Sequence, residues 1–521
     1  MTDDRVSLDR RRFLRAGAAT SLAVVAGPAL ATPAFGVVRS GRPSVTHGVQ
    51  SGDVTARSAV VWARADRPAR MLVEIATTPS FAGARTVPGP FTDESTDLTA
   101  KLELHGLPAG QDVFYRVRFA DPHDQSLDGE PVVGHLRTAP TSRRDVSLVW
   151  GGDTAGQGWG INSDIGGMRT YETMRQLAPD LFIHSGDTIY ADGPLEEAVL
   201  LPDGTTWRNL VTPEKAKVAE TLAEFRGNFR YNLIDDNVRA FNAEVPVIAQ
   251  WDDHETTNNW YPGEILADPR YTVTDVDLLA ARANQAFHEY FPTSTALQEP
   301  GRVYRKIAYG PSLDVFVLDL RTYRGPNTTN DQATASEVTE ILGEAQVAWL
   351  RRELRRSTAT WKIIASDMPV GLVVPDGANQ EGVAQGRGEV LGRELEIARV
   401  LSAIKADQVR NVVWLTADVH YTAAHHYDPA RATFTDFDPF WEFVSGPLHA
   451  GTFGPNPLDP TFGPQVRFQR AADRPNQPPS DGLQFFGHVL IDGRTEVMTV
   501  RLMNMAGDVL YFVDLEPQPV R

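Results

Sequence analysis

From Ser44 to about Pro140, apolar and polar positions alternate with a period of two. Ser58–Ala63, Met71–Thr77, Thr99–Leu104 and Val113–Ala120 are rich in β-branched and aromatic residues, and turns such as Leu107-Pro108-Ala109-Gly110 separate them. Short alternating runs at this spacing predict an antiparallel β-sandwich of immunoglobulin or fibronectin type over residues 44–140. After Thr141 the rhythm changes. Continuous apolar runs at Val146–Trp150, Leu181–His184, Val245–Trp251, Leu313–Leu320, Trp361–Ser366 and Val412–Thr416 read as buried strands. Between them, Met168–Leu177, Pro213–Phe241, Glu344–Arg356 and Arg393–Ala406 read as helices. Strand–helix alternation of this kind predicts an α/β domain over 141–521, with its strands buried between helices. Phe485–Asp492, Glu496–Leu502 and Val509–Leu515 add antiparallel strands at the end, after a Pro-rich ordered loop from Gly454 to Pro479.

Composition narrows the chemistry. The 521 residues carry 50 Lys+Arg against 67 Asp+Glu, a net charge of −17. Phosphate backbones and anionic lipid surfaces repel such a chain, so nucleic-acid binding is not expected, and phosphate chemistry needs a locally positive centre such as a bound metal ion. Cysteine is absent, which excludes disulfides, thiolate nucleophiles, thiolate-bound zinc and iron–sulfur clusters. At the start, Arg10-Arg11-Arg12-Phe13-Leu14-Arg15 precedes the weakly apolar Ala16–Ala31, which ends in Ala29-Leu30-Ala31. This resembles a twin-arginine export signal over residues 1–31 and implies use of the twin-arginine export machinery, followed by a secreted or cell-envelope location. The apolar run is too short and Gly-rich to serve as a stable membrane anchor.

The candidate chemistry gathers where strands end. Val146–Trp150 leads to Gly151-Gly152-Asp153, and Leu181–His184 leads to Ser185-Gly186-Asp187-Thr188-Ile189-Tyr190. Val245–Trp251 leads to Asp252-Asp253-His254-Glu255 and then Asn258 and Asn259, while Val412–Thr416 leads to Ala417-Asp418-Val419-His420. Carboxy-terminal strand ends are where the loops of an open α/β sheet converge on a ligand. A single Asp in such a place is ordinarily a turn former or helix cap, but four strand ends carrying Asp and His together point to metal. Hard oxygen donors with one or two imidazoles suit Fe(III), Mn, Mg or Ca. Two ions sharing a carboxylate, about 3.5–4 Å apart, would activate a water between them. Gly152 and Gly186 allow the tight turns and close backbone approach that such a site needs.

Gly186-Asp187-Thr188-Ile189-Tyr190 matches the Gly-Asp-x-x-Tyr motif of calcineurin-like metallophosphoesterases of the purple acid phosphatase branch. Trp251-Asp252-Asp253-His254-Glu255-Thr256-Thr257-Asn258-Asn259-Trp260, followed by Thr416-Ala417-Asp418-Val419-His420, resembles the PhoD-type alkaline phosphatase and phosphodiesterase family, which includes phospholipases D. That resemblance covers essentially the whole chain and implies a metallophosphoesterase α/β sandwich behind the smaller β-sandwich. It implies Fe(III) with Ca(II), Asp187 as the bridging carboxylate, and Tyr190 as a phenolate on the iron. It also implies Asp153 on the iron, where many relatives place a cysteine. Asp253 and Asp418 would hold the second ion, His420 would complete the first, and His254 would contact phosphate or protonate the leaving group. The implied reaction is hydrolysis of monoesters or diesters of phosphate by an activated hydroxide, with small phosphate esters or phospholipids as substrates.

Phospholipase D action on phospholipid diesters remains an alternative within that reading. Outside it stand an amidase with the same core and a non-catalytic extracellular protein stabilised by its metals. Asp252, Asn258, Asn259 and His449 are weaker candidates for substrate contact; the asparagines serve equally well as turn formers. Trp159, Trp260 and Tyr261 are candidates for a leaving-group pocket or for core packing. His184 reads as a core histidine, and His425 and His426 as solvent-exposed. Ser185 has no nucleophile-elbow pattern around it and is rejected as a nucleophile.

Overall fold

The computed structural model describes residues 41–124, 126–297 and 299–519, so the export-signal segment lies outside the described residues. The period-two runs form β1 (Val45–Gly52), β2 (Ser58–Ala65), β3 (Ala69–Ala76), β4 (Arg85–Thr92), β5 (Thr99–His105), β6 (Asp112–Ala120) and β7 (Val132–Arg137). One sheet has the order β4-β3-β6-β7 and faces β1, β2 and β5 across an apolar core that includes Val61, Val73, Tyr115 and Phe119. This second sheet does not end at β1. Gly52 pairs in parallel with Val247, so β1, β2 and β5 extend the sheet of the α/β region. A Cβ on Gly52 would stand 2.5 Å from the Val247 carbonyl oxygen, so only glycine permits the approach. Next to it, Asp53 and Arg305 form a fully buried ion pair at 2.7 Å, and Ser294 N–H donates to the same carboxylate.

The α/β region contributes β8 (Val146–Gly151), β9 (Leu181–Ser185), a small hairpin of β10 (Ala198–Leu200) and β11 (Thr206–Arg208), and β12 (Val247–Gln250). It continues with β13 (Arg305–Ala308), β14 (Leu313–Val317), β15 (Trp361–Ala365), the short hairpin β16 (Pro375–Asp376) and β17 (Asn379–Gln380), and β18 (Val412–Thr416). The remaining strands are β19 (Thr422–Tyr427), β20 (Phe440–Val444), β21 (Pro464–Arg470), β22 (Phe485–Ile491), β23 (Met498–Asn504) and β24 (Val509–Leu515). They build a nine-stranded sheet, β24-β23-β22-β8-β9-β12-β1-β2-β5, and a seven-stranded sheet, β13-β14-β15-β18-β20-β19-β21. Leu148, Trp150, Ile183 and Ile248 of the first share one core with Val315, Ile363, Leu415 and Phe443 of the second. The helices cover the outer faces, giving two sheets between two helical layers. β8, β9 and β12 run parallel, as do β14, β15, β18 and β20, so their carboxy-terminal ends share one edge in each sheet.

The helices are α1 (Arg169–Gln176), α2 (Leu222–Asn232), α3 (Asp236–Glu244), α4 (Val276–Tyr290), α5 (Glu344–Arg356) and α6 (Glu394–Ala406). The single helix expected over Pro213–Phe241 is two. Thr221 and Glu224 close a capping box on α2, and the Asp235 carboxylate accepts from Asn237 N and Val238 N to start α3. The Pro-rich stretch after Gly454 is not all loop, because β21 runs through it and pairs with β19. Among the described residues no helix is long and apolar enough to cross a membrane.

Candidate functional site

The two sheets bring their strand ends to one place. After β8, Asp153 takes a left-handed backbone (φ 69°), as do Asp187 after β9 (φ 51°) and Asp418 and His420 after β18 (φ 67° and 57°). Non-glycine residues held in this region store strain and tend to mark functional sites. The turns are packed backbone to backbone: Asp153 N–H donates to Gly186 O at 3.3 Å and Thr154 N–H to Asp187 O at 2.9 Å. A Cβ on Gly186 would lie 2.5 Å from Asp252 Cβ, and one on Gly152 would lie 2.8 Å from Ala417 Cβ. Larger residues there would push the loops apart.

Three overlapping groups of side chains result: Asp153, Asp187 and His420; Asp187, Asp253 and His254; and Asp252, Asp253 and Asp418. Within each, one ligand atom per residue lies within 4.8 Å of the others. Asp187 is common to the first two. Both oxygens of Asp153 and Oδ2 of Asp418 are buried without a hydrogen-bond partner in the protein. Buried carboxylate oxygens left unpaired are costly unless something else satisfies them. Burial, and then the neighbouring carboxylates Asp253 and Asp252, push Asp187 well above the usual carboxylate range; burial and Asp252 do the same for Asp153 and Asp418. The donor set therefore fits a metal site: it gathers negative charge that only cations would relieve.

His420 Nδ1–H donates to Gly451 O at 2.5 Å, which leaves Nε2 as the lone-pair nitrogen facing Tyr190 Oη at 2.7 Å and Asp153 Oδ1 at 3.8 Å. Burial lowers His420 to about 4, so the ring is neutral and able to ligate. Burial, followed by Asp187 and Asp153, pushes the Tyr190 phenol well above its ordinary value. His254 behaves oppositely. Burial disfavours its charge, but Asp192 and then Asp253 outweigh it and raise the ring to about 10. Its Nδ1–H donates to Asp192 Oδ1 at 2.7 Å, Asn258 N–H donates to Asp192 Oδ2 at 2.9 Å, and the Tyr190 ring lies 4.2 Å away. The second ring proton of this cation is on Nε2.

These geometries agree with a broader likeness. The PhoD-like phosphatase family model matches residues 148–502, and that for the PhoD-like phosphatase N-terminal domain matches 29–140. The chain belongs to the PhoD-like phosphatase family. It is 27% identical over 474 residues to alkaline phosphatase D of Bacillus subtilis (strain 168), covering 86% of this chain and 77% of that protein. A solved structure of PhoD superposes with a TM-score of 0.68 at 22% identity, covering 92% of this chain and 90% of its own. The yellow lupin purple acid phosphatase PPD1 superposes with 0.53 at 12% identity, covering 91% and 74%. These two structures share the fold. As a member of this family the chain is a phosphoric ester hydrolase, of phosphatase type.

The strand-end residues Asp153, Asp187, Tyr190, Asp253, His254, Asp418 and His420 all meet at these joined loops. The weaker candidates divide. Asp252 pairs with Arg321 at 2.5 Å. Asn258 is exposed and contacts Asp192 through its backbone; Asn259 N–H donates to Asp253 Oδ2 at 2.6 Å, and its side chain reaches Asp376 at 3.2 Å. His449 meets Asp153 only through backbone hydrogen bonding, while its ring Nε2–H braces the Gly160 carbonyl at 2.9 Å. His425 is not exposed: it is fully buried against Glu442. Trp260 is core, against Trp251, and Trp159 packs on Trp207.

Sequence reasoning placed Glu255 in the third cluster without a role and missed Asp192, Arg321, Asp367 and Glu381 as parts of this site. Glu255 accepts from Asp252 N at 2.7 Å, Asp187 N at 3.3 Å and Thr188 N at 2.5 Å, so one carboxylate ties two ligand loops together. Two signals were available. Asp192 follows Asp187 by five residues in the same loop, and Leu313–Leu320 is another buried strand running into a charged residue, Arg321.

Proposed function

We propose that this chain is an exported, metal-dependent hydrolase of phosphate esters that accepts monoanionic diesters at least as well as dianionic monoesters. The observation that carries the reading is that Asp187 lies within 4.8 Å of ligand atoms of Asp153 and His420 on one side and of Asp253 on the other, at the joined strand ends of both sheets. Asp153, Asp187, Tyr190 and His420 would hold one cation and Asp187, Asp253 and Asp418 a second. The hard donors and the phenol favour Fe(III) for the first, and the carboxylates favour Ca(II) for the second. When bound, such ions supply Lewis acidity and make water nucleophilic at neutral pH. The chain's own residues do the rest. His254, held by Asp192, donates from Nε2 to the departing alkoxide and balances charge on the phosphoryl oxygens. Glu255 keeps the Asp187 and Asp253 loops in register.

The preference for diesters follows from where the cations are. Arg321 is fully buried and taken by Asp252 and Glu381; Arg324 is also buried, with Glu381 and Asn327 as partners. Lys215 is buried too, its ammonium donating to the Tyr190 carbonyl at 2.8 Å. None of these is turned outward to clamp a second phosphate charge. The Arg10–Ala31 segment supports export by the twin-arginine route, and the net charge of −17 supports small phosphate esters or phospholipids over nucleic acids.

Turnover of p-nitrophenyl phosphate, bis-p-nitrophenyl phosphate and phosphatidylcholine should be compared with and without prior chelation. Diester hydrolysis at least equal to monoester hydrolysis, lost on chelation and restored by iron and calcium, is expected. Chelator-insensitive turnover would overturn the metal dependence, and a strong monoester preference would overturn the substrate assignment.

A further inference from the structure

We propose that Arg321 is a built-in cation of this site: its guanidinium fills the place of a divalent ion among Asp252, Asp253 and Asp418, and so limits how many ions the carboxylates hold. The side chain enters from β14, on the sheet opposite β9 and β12. Its backbone is fixed first: Asp319 Oδ1 accepts from Arg321 N at 3.1 Å, Thr322 N at 3.0 Å and Trp251 Nε1 at 3.0 Å. The guanidinium then lies wholly buried among carboxylates. Nη2 is 2.5 Å from Asp252 Oδ1 and 3.9 Å from both Asp253 Oδ1 and Asp418 Oδ1. Nη1 is 2.5 Å from Glu381 Oε1, and Nε is 3.9 Å from Asp367 Oδ2.

Asp252, Asp253 and Asp418 bring ligand atoms within 4.8 Å of one another, a spacing that fits a single cation. Arg321 Nη2 sits against the same three side chains. The Asp153–Asp187–His420 group contains no such resident charge, and the Asp187–Asp253–His254 group contains only the His254 ring. A guanidinium differs from an ion in that it cannot dissociate; here Nε–H donates to Asp252 Oδ1 at 2.6 Å, while Nη1 and Nη2 lie against Glu381 and Asp252 as close ion pairs without hydrogen-bond geometry. The surroundings are negative enough to need it. Both oxygens of Asp367, Oδ2 of Asp252 and Oδ2 of Asp418 are buried without hydrogen-bond partners. Glu381 is itself braced, because Arg324 and Arg393 both donate to its backbone carbonyl. Arg321 is thus a positioning residue: it holds Asp252 and Glu381 directly and sets the spread of Asp253 and Asp418, which the proposed function assigns to an ion.

Removing the guanidinium while leaving the carboxylates should turn this position into an ion site. Arg321→Gln, purified in calcium, is expected to hold one more divalent ion per chain than the native protein by elemental analysis. Its unfolding midpoint should rise between chelator and millimolar calcium by about 3 °C more than that of the native protein, the size of shift that tight binding of one added ligand produces in a chain of this length. Arg321→Lys should keep the native ion count, and the double variant Arg321→Gln/Asp252→Asn should lose the extra ion. A native or lower ion count in Arg321→Gln, or a chain that calcium does not return to the folded state, overturns the proposal. The inference rests on reading the neighbouring carboxylates as ion ligands, so Asp187→Asn is measured alongside. A full ion count in Asp187→Asn would defeat that reading itself, whereas a native count confined to Arg321→Gln would defeat only the role of Arg321.

Discussion

Asp187→Asn is expected to lower hydrolysis of phosphate esters by about 10³-fold or more. Asp187 is the residue shared by the Asp153–His420 and Asp253–His254 groups, so one substitution weakens both proposed ion positions. Metal ions supply several kcal/mol of transition-state stabilisation, and each ~1.4 kcal/mol is tenfold in rate. The fold should survive. Burial and like charges already push Asp187 well above the usual carboxylate range, so its ionised form opposes folding in the ion-free chain. A neutral amide removes that penalty, and ion-free Asp187→Asn should unfold no more easily than ion-free native protein. Kinetics on fully supplemented enzyme, together with thermal unfolding in chelator, check both halves. Activity within tenfold of native would remove Asp187 from the site.

His254→Gln is expected to cost about 10²–10⁴-fold in kcat, the usual worth of a positioned general acid. Because the first role proposed for His254 is proton donation, the loss should be larger for poor leaving groups than for p-nitrophenolate. The pH dependence supplies a second check. Asp192 beside it holds the ring protonated above its ordinary value, so activity should persist into alkaline pH and fall as pH rises through the raised pKa. Asp192→Asn keeps a hydrogen-bond partner but removes the charge, and the descending limb should move to lower pH. The sign for stability follows from the same raised pKa. The contribution of protonated His254 is complete below its ordinary 6.5 and is lost as pH climbs to about 10. An unchanged pH profile in Asp192→Asn would contradict this assignment.

The residues expected to act at the site were legible because strands are short and apolar while strand-end loops are polar. Asp153, Asp187, Asp253 and Asp418 each follow a buried run directly, and Gly152 and Gly186 announce the close approach of loops that the structure shows. The β-sandwich was legible from period two, but its continuation into the second sheet was not. That join depends on Gly52 meeting Val247, nearly two hundred positions apart, and on the Asp53–Arg305 pair. α4 (Val276–Tyr290) was not read from the pattern at all, although Asp275 caps it by accepting from Asp277 N and Leu278 N. Arg321, Asp367 and Glu381 were missed for a different reason. An arginine after a strand looks like an ordinary surface charge, and only the packing of one sheet edge against the other makes it the partner of Asp252. His425 was misjudged likewise: two adjacent histidines on a strand face opposite ways, and His425 faces Glu442 inside.

In the proposed site, loops from both sheets meet around a pair of cations that share Asp187. Anomalous diffraction from crystals of iron- and calcium-loaded protein, collected above and below the iron edge, would locate both ions. Two peaks are predicted, an iron peak in contact with Tyr190, His420, Asp153 and Asp187, and a second ion touching Asp187, Asp253 and Asp418. Peaks elsewhere in the molecule, or no ordered metal at Asp187 in enzyme that still hydrolyses phosphate esters, would contradict it.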